Sequence, residues 1–268
     1  MTVTASNVPQ TRLSQLIHDI SNGHPLLWRS TLLLTLGFIL CLALITVDHR
    51  LLNGVDVWDK PAKFFLSLAV QMATVSWALM RLPQALRETK SIDRAAWVMT
   101  IAAWVELAYL VFRASRGEAS HFNQATIFAA IAYGVMGLGA VLITASAGFI
   151  GWRVWQQRRL GLWQEATGLG LMVGMILGSL AGIYLSQQPG HWVGGELSDA
   201  HGLGFFGWST TGGDLRVAHF IGLHSAQIIP FAALAGSRPL VYGVALLCVA
   251  FTAGTFATAV LGLPLFSA

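Results

Sequence analysis

The chain has 268 residues, of which 55% are hydrophobic and only 10% are charged. A soluble domain of average composition has roughly a quarter of its residues charged, so this chain has too few polar residues to cover a surface in water. The net charge of +4 does not indicate nucleic-acid binding, because Lys and Arg stand in short runs between apolar segments rather than in one basic stripe. The composition therefore excludes a soluble fold and predicts an all-α bundle of membrane-spanning helices.

The N-terminal segment, residues 1–25, is predicted to be a polar tail followed by an amphipathic helix. Apolar residues recur at i, i+3, i+4 and i+7, at Leu13, Leu16, Ile17 and Ile20. This spacing is typical of a helix that lies on a membrane surface. The segment lacks the successive charged, apolar and small-residue regions of a signal peptide, so none is expected.

Residues 26–268 are predicted to form a single domain with seven spans. Each span is an apolar stretch of about 20 residues, the length that an α-helix needs to cross a hydrocarbon core of roughly 30 Å. The predicted spans are 26–47, 64–82, 95–112, 126–148, 162–185, 217–235 and 241–261. Both cysteines, Cys41 and Cys248, lie inside these stretches, so no disulfide framework is expected.

The Lys and Arg residues near the span ends predict the orientation, because cytoplasmic loops are enriched in them. With a cytoplasmic N-terminus, ten of the 16 lie on the inner side. The six on the outer side are Arg50, Lys60, Lys63, Arg113, Arg116 and Arg216. We therefore predict a bacterial inner-membrane protein with its N-terminus in the cytoplasm and its C-terminus outside.

The long connection at 187–215 is predicted to lie outside and to close over a site. It is rich in Gly and contains His191, Trp192, His201 and Trp208. Loops of this length are commonly functional or disordered, and the aromatic residues favour an ordered lid. Asp214, at the step into the sixth span, is also explained as a favourable residue at a helix N-terminus.

The fifth span carries a glycine at every fourth position, at Gly170, Gly174, Gly178 and Gly182. Such a stripe lets another helix approach closely, because helices in lipid associate through van der Waals contact. Packing within one chain is the simpler interpretation. A homo-oligomer, a larger membrane complex or a flat cofactor would use the same surface, and membrane lipids are the other expected partners.

Three spans carry polar residues along one face, and such residues inside a membrane commonly mark a site. They are Lys63, Ser67, Gln71 and Thr74 in the second span, Glu106, Tyr109, Arg113 and Arg116 in the third, and Arg216, His219 and Gln227 in the sixth. His224 is rotated by about 80° from Arg216. Aligned by depth, these faces predict a funnel that opens to the outside and is closed on the cytoplasmic half.

Histidines of this funnel are candidate ligands for a metal ion or for the iron of a b-type haem. The predicted ligands are His121, His219 and His224. His219 and His224 are five residues apart, which excludes the H-E-x-x-H site of a zinc peptidase. The residues predicted to hold an anionic group, such as a haem propionate, are Arg113, Arg116, Arg216 and Gln227. Glu106 and Asp214 are the predicted catalytic residues, as proton carriers or as partners of the ligands.

Two functional hypotheses remain open from the sequence. The leading one is a membrane protein that binds a metal ion or haem on the extracytoplasmic side for redox or hydrolytic chemistry. The alternative is a non-enzymatic protein, either a small-anion transporter or a subunit of a larger complex. Histidines at a membrane surface also form simple hydrogen bonds, and cations there contact lipid phosphates. Contact with lipid phosphates is the better interpretation for Arg50 and Lys60.

Overall fold

A computed structural model describes residues 12–267 of the chain. The helices are α1 (Arg12–Gly23), α2 (Pro25–Ile45), α3 (Asp59–Leu79), α4 (Gln84–Arg87), α5 (Lys90–Ser115), α6 (Ile127–Trp155), α7 (Leu162–Ser186), α8 (Leu215–Phe231) and α9 (Arg238–Val260). The strands are β1 (Leu51–Leu52), β2 (Val55–Asp56), β3 (Trp192–Val193) and β4 (Gly213–Asp214). Short 3-10 turns lie at Arg158–Leu160, Gly204–Phe206 and Ala232–Ala235.

Seven helices within residues 12–267 are long and apolar enough to cross a membrane, so the predicted all-α bundle of seven spans is confirmed. These helices are α2, α3, α5, α6, α7, α8 with its 3-10 extension, and α9. The second span begins at Asp59, five residues before its predicted start at 64. Asp59 and Pro61 both favour a first helical turn, which explains the earlier start. The orientation of the bundle in a membrane stays a prediction.

The spans pack mostly against their neighbours in the sequence, from α5 on α6 through α8 on α9, with α2 on α3. The largest core cluster joins α2, α3, α5, α6 and α7 through fully buried side chains that include Leu27, Met72, Met99 and Ile150. Large apolar side chains on the opposite helix faces, such as Leu138 and Leu246, are exposed. An apolar outer surface is what a bilayer covers, so the burial pattern agrees with the membrane assignment.

The glycine stripe of α7 is covered by α8 of the same chain. A Cβ added at Gly174 would lie 3.0 Å from the Cβ of Ala226, and one added at Gly182 would lie 2.8 Å from Cε1 of His219. Gly170 and Gly178 face Pro230 and Leu223 of α8 in the same way. The stripe therefore serves packing of α7 on α8 within one chain, and a homo-oligomer or larger complex stays a prediction.

The N-terminal helix α1 is present and packs against α3. The hydroxyl of Ser76 in α3 donates to the carbonyl of Ile20 at 2.6 Å and accepts from the backbone N–H of His24 at 3.1 Å. Arg81 pairs with the buried Asp19 at 2.5 Å. Leu13, Leu16 and Ile17 are exposed. These exposed apolar side chains agree with a surface helix, whose place on a membrane stays a prediction.

The long connection has a defined fold at one end of the bundle, which we call the hairpin end. Strands β3 and β4 pair antiparallel, with Trp192 opposite Asp214. The backbone N–H of Asp199 donates at 2.9 Å to the carbonyl of Asn53, in the tight hairpin between β1 and β2. The connection is therefore fixed both to α8, which follows β4 directly, and to the 51–56 hairpin that precedes α3.

Candidate functional site

The polar faces of α3 and α8 meet inside the bundle. The side-chain amide nitrogen of Gln227 in α8 donates to Oγ1 of Thr74 in α3 at 3.0 Å. Thr74 in turn donates its hydroxyl proton to the carbonyl of Val70 at 2.7 Å. The predicted convergence of the polar residues of the second and sixth spans is present in this contact.

The hydrogen bond of Gln227 determines which nitrogen of His224 carries its proton. Because the amide nitrogen of Gln227 faces Thr74, its oxygen Oε1 faces Nδ1 of His224, at 3.1 Å. An amide oxygen only accepts, so Nδ1 of His224 is the donor and Nε2 of the neutral ring keeps its lone pair.

His219, two turns closer to the start of α8 than Gln227, has the same tautomer. Its Nδ1 lies 2.9 Å from the backbone carbonyl of Gly178 in α7, which accepts but cannot donate. The ring is set against Gly182, whose missing side chain leaves room for it. In metal sites, a coordinating histidine characteristically donates its other ring N–H to a carbonyl or carboxylate in this way. Two imidazoles of α8 thus have a free Nε2 lone pair.

His121 lies in the connection between α5 and α6, away from these two rings. Its ring centroid is 5.5 Å from that of Phe64 and 5.9 Å from that of Tyr133, and its Nδ1 lies 3.0 Å from the hydroxyl oxygen of Ser120. Burial and, to a smaller extent, the charge of Lys60 lower the pKa of His121 well below its ordinary value, so the ring is neutral near pH 7.

The three predicted histidine ligands do not form one cluster. Within residues 12–267, no hydrogen bond, ion pair or ring contact joins His121 to His219 or His224. In the same range, no group of three or more His, Cys, Asp or Glu side chains is arranged to hold a metal ion. His121 in the α5–α6 connection and the two histidines of α8 therefore do not form a three-ligand metal site in the described part of the chain.

The predicted anion-binding arginines already have acceptors within the chain. Arg216 donates to Asp214 at 2.6 Å, to Asp199 at 2.8 Å and to the carbonyl of Gly207 at 2.6 Å. Arg113 pairs with Glu118 at 2.6 Å, and the exposed Arg116 contacts the same carboxylate at 3.2 Å. Arg216 therefore fastens the long connection to α8.

Asp214, predicted as a catalytic residue, caps α8 in the structure. Its carboxylate accepts from the backbone N–H groups of Arg216 and Ser209, both at 3.0 Å, in addition to the Arg216 side chain. The side chain is 1% exposed. A carboxylate that accepts from these donors stabilises the N-terminus of a helix, which fits the capping interpretation.

Asp199 and His191 form a second buried contact in the connection, with Nε2 of His191 3.2 Å from the Asp199 carboxylate. Burial alone would raise the pKa of Asp199, but the hydrogen bond from His191 and the charge of Arg216 outweigh it and lower the pKa. Burial lowers the pKa of His191 more than Asp199 raises it. The pair is thus an ionised carboxylate beside a neutral imidazole near pH 7.

Glu106, the other predicted catalytic residue, lies on α5 and is only 6% exposed. Arg113, on the same helix face, pairs with Glu118 instead. Within the described residues, no hydrogen bond or ion pair reaches the Glu106 carboxylate, although the charge of Lys60 acts on it. Glu106 is therefore a buried acid without a fixed partner.

Lys60 is the site residue that the sequence interpretation missed. The structure gives it no hydrogen bond and no carboxylate partner among residues 12–267, and its Nζ lies 5.9 Å from the centroid of the Phe64 ring. Lys60 is half-buried, and Phe64 also contacts His121, with 5.5 Å between the ring centroids, so Lys60 lies on the His121 side of the bundle. The sequence contains a signal for this, because Lys60 lies on the same helix face as Gln71 and Thr74.

The described geometry thus contains two imidazoles with free lone pairs, a buried carboxylate and an unpaired ammonium group within a bundle of apolar helices. Metal coordination, anion binding and proton transfer are the chemistries open to these groups. Comparison of the chain with protein-family models, with curated proteins and with solved structures finds no match.

Proposed function

We propose that this integral membrane protein binds a b-type haem, with His219 as an axial ligand, for membrane-associated redox chemistry. The hydrogen bond from Nδ1 of His219 to the carbonyl of Gly178 carries the proposal, since it leaves Nε2 unprotonated and orients the ring. His121, which comes from a different segment, is the candidate for the second ligand, and His224 is the alternative to His219 on α8. In this proposal the hairpin end faces the extracytoplasmic side of a bacterial inner membrane, as the count of Lys and Arg predicts.

Haem suits these donors better than a bare metal ion does. A structural or catalytic zinc ion takes three or four protein ligands, whereas a porphyrin supplies four nitrogens itself and needs only one or two axial side chains. Within residues 12–267, the histidines belong to no group of three or more side chains that could hold a metal ion. A metal ion bound without a porphyrin remains the alternative form of the proposal.

We assign Lys60 as the residue that contacts the anionic propionate groups of the haem. Arg216 and Arg113 are already paired with carboxylates of the chain. Lys60 has no such partner within residues 12–267, and an unpaired ammonium group in a polar interior favours an anionic neighbour. When bound, the haem would supply a one-electron couple, and the chain would supply the ligand, the cation and the apolar surroundings.

The test is an absorption spectrum with elemental analysis on the purified chain, as isolated and after reconstitution with haemin. We expect a haem spectrum and stoichiometric iron. His219→Ala is expected to lose both, and added imidazole to restore the spectrum, because the small ligand fills the vacated position. His201→Ala is the matched control, since that side chain is 76% exposed in the long connection. His121→Ala tests the second ligand, and His224→Ala tests whether His224 replaces His219 as the ligand from α8.

Haem binding is disproved if the folded chain shows neither a haem spectrum nor stoichiometric metal after reconstitution. Equal haem content in His219→Ala and His201→Ala would remove His219 from the site. The unpaired Lys60 favours a second function, the binding of a small anion. Thermal stabilisation by phosphate or sulfate in a colourless protein, lost in Lys60→Met, would support that function instead.

A further inference from the structure

A groove of about 300 Å³ lies on the outer surface of the bundle between α5 and α6. Its walls are apolar except at one position, and they include Ile101, Val105, Glu106, Val135, Leu138 and Gly139. Ile101 and Val105 are 55% and 52% exposed, and Val135 is 49% exposed. In a membrane-spanning bundle, such a surface is open to the hydrocarbon region.

Glu106 is the polar exception in this groove. Glu106 is only 6% exposed, and its carboxylate has no hydrogen bond or ion pair to any described residue. A Cβ added at Gly139 of α6 would lie 3.9 Å from Oε2 of Glu106. The carboxylate therefore lies beside the bare backbone of α6 at Gly139, and both line the groove.

The depth of Glu106 restricts the kind of molecule that would meet it. Glu106 lies nine residues before Ser115 at the end of α5. At 1.5 Å per residue this is about 13 Å along the helix. Phospholipid headgroups stay at the membrane surface, so they do not reach this level. A fatty acid that reached it would bring a second carboxylate beside the first. A neutral molecule with a hydroxyl group on an apolar body satisfies both the groove and the buried carboxylate.

We propose that the α5–α6 groove binds a membrane-soluble hydroquinone, whose phenolic hydroxyl donates to the carboxylate of Glu106. A phenol is a stronger hydrogen-bond donor than an aliphatic alcohol, and its flat ring fits beside the bare backbone at Gly139. The apolar chain of the ligand lies along Val105 and Val135. This site goes beyond the haem proposal and does not require it, because neither His219 nor His224 lines the groove.

The test measures binding of decyl hydroquinone to the full chain in lipid nanodiscs, by saturable thermal stabilisation. The dimethyl ether of the same compound is the matched ligand, because it keeps the ring and the chain but has no hydroxyl proton. We expect the hydroquinone to bind at least tenfold more tightly than the ether. Glu106→Gln preserves the size of the side chain but not its charge, and we expect it to reduce hydroquinone affinity about tenfold, which corresponds to about 1.4 kcal/mol.

A second pair of variants tests the groove itself, and also covers a failure of Glu106→Gln to fold. Val135→Phe places a large side chain in the groove, whereas Val249→Phe makes the same change on the exposed face of α9. We expect only Val135→Phe to abolish saturable binding. Equal affinity for the hydroquinone and its ether, or equal binding by the two Phe variants, would overturn the proposal. Haem content is measured separately in each variant, so a failure of one proposal is distinguished from a failure of the other.

Discussion

Arg216 shows how a single side chain organises the hairpin end. Its guanidinium group contacts the carboxylates of Asp199 and Asp214 and the carbonyl of Gly207. Asp199 is also bound to the 51–56 hairpin through its backbone N–H. The arginine therefore joins the start of α8 to the long connection and, through Asp199, to the 51–56 hairpin.

We predict that Arg216→Ala lowers the stability of the folded chain by about 3 kcal/mol or more, because two largely buried carboxylates lose their common cation. Thermal unfolding in detergent measures the change. Arg116→Ala is the control, since the Arg116 side chain is 57% exposed and its partner Glu118 keeps Arg113. An exposed pair of this kind contributes at most about 1 kcal/mol. Equal melting temperatures for the two variants would contradict the structural role of Arg216.

At the residue scale, the sequence identified the chemically capable side chains but not their partners. The helix spacing placed Glu106 and Arg113 on one face, yet Arg113 turns to Glu118 just beyond the end of α5. Lys60 is predicted to contact lipid phosphates, and in the structure its Nζ lies 5.9 Å from the centroid of the Phe64 ring, which also contacts His121. A long side chain reaches in several directions, and neighbours from other segments decide which one it takes.

At the element scale, α7 and α8 depend on a very close approach of their backbones. Gly222 of α8 faces α7 so closely that an added Cβ would lie 2.9 Å from the backbone N of Gly178 and the backbone C of Leu177. Helices in lipid gain stability from such contacts because lipid offers no hydrophobic force between them. The contact also sets the position of His219, whose ring donates to the carbonyl of Gly178.

We therefore predict that Gly222→Ala destabilises the bundle by about 1 to 3 kcal/mol, because backbone atoms cannot move aside as a flexible side chain would. Gly243→Ala in α9 is the matched control, since an added Cβ there meets nothing within 4 Å. Ala is favoured over Gly inside a helix by up to about 1 kcal/mol, so the control is expected to be neutral or stabilising. Thermal unfolding measures the stability of both variants. A loss of stability in Gly243→Ala alone would refute the packing argument.

The elements differ in how far local sequence determines them. The spans are predictable because the length and apolarity of a span are properties of its own segment. The predicted boundaries differ from the structure where charged residues extend a helix, as in α5, which begins at Lys90 rather than at 95. The β1–β2 hairpin was missed although its signal is present. Asn53 and Gly54 both have positive φ, at 55° and 85°, and Asn-Gly is the preferred pair for such a two-residue turn. The β3–β4 pair joins residues some 20 positions apart, which no local pattern specifies.

At the scale of the whole molecule, the bundle has two chemically different ends. The hairpin end holds the ordered connection, the Arg216 contacts and His121, whereas the opposite end holds α1 and the short helix α4. Seven crossings would place α1, before the first span, and the residues that follow α9 on opposite sides of a membrane. The orientation therefore decides which compartment has access to the candidate site.

The excess of Lys and Arg at the α1 end predicts that the hairpin end lies outside the cytoplasm. The test places single cysteines at His201, which is 76% exposed in the long connection, and at Gln84, which is exposed in α4. The background carries Cys41→Ala and Cys248→Ala. A membrane-impermeant maleimide added to intact spheroplasts is expected to label His201→Cys, and to label Gln84→Cys only after disruption. The reverse pattern would show that the hairpin end faces the cytoplasm, and the imidazoles of α8 would then be reached from that compartment.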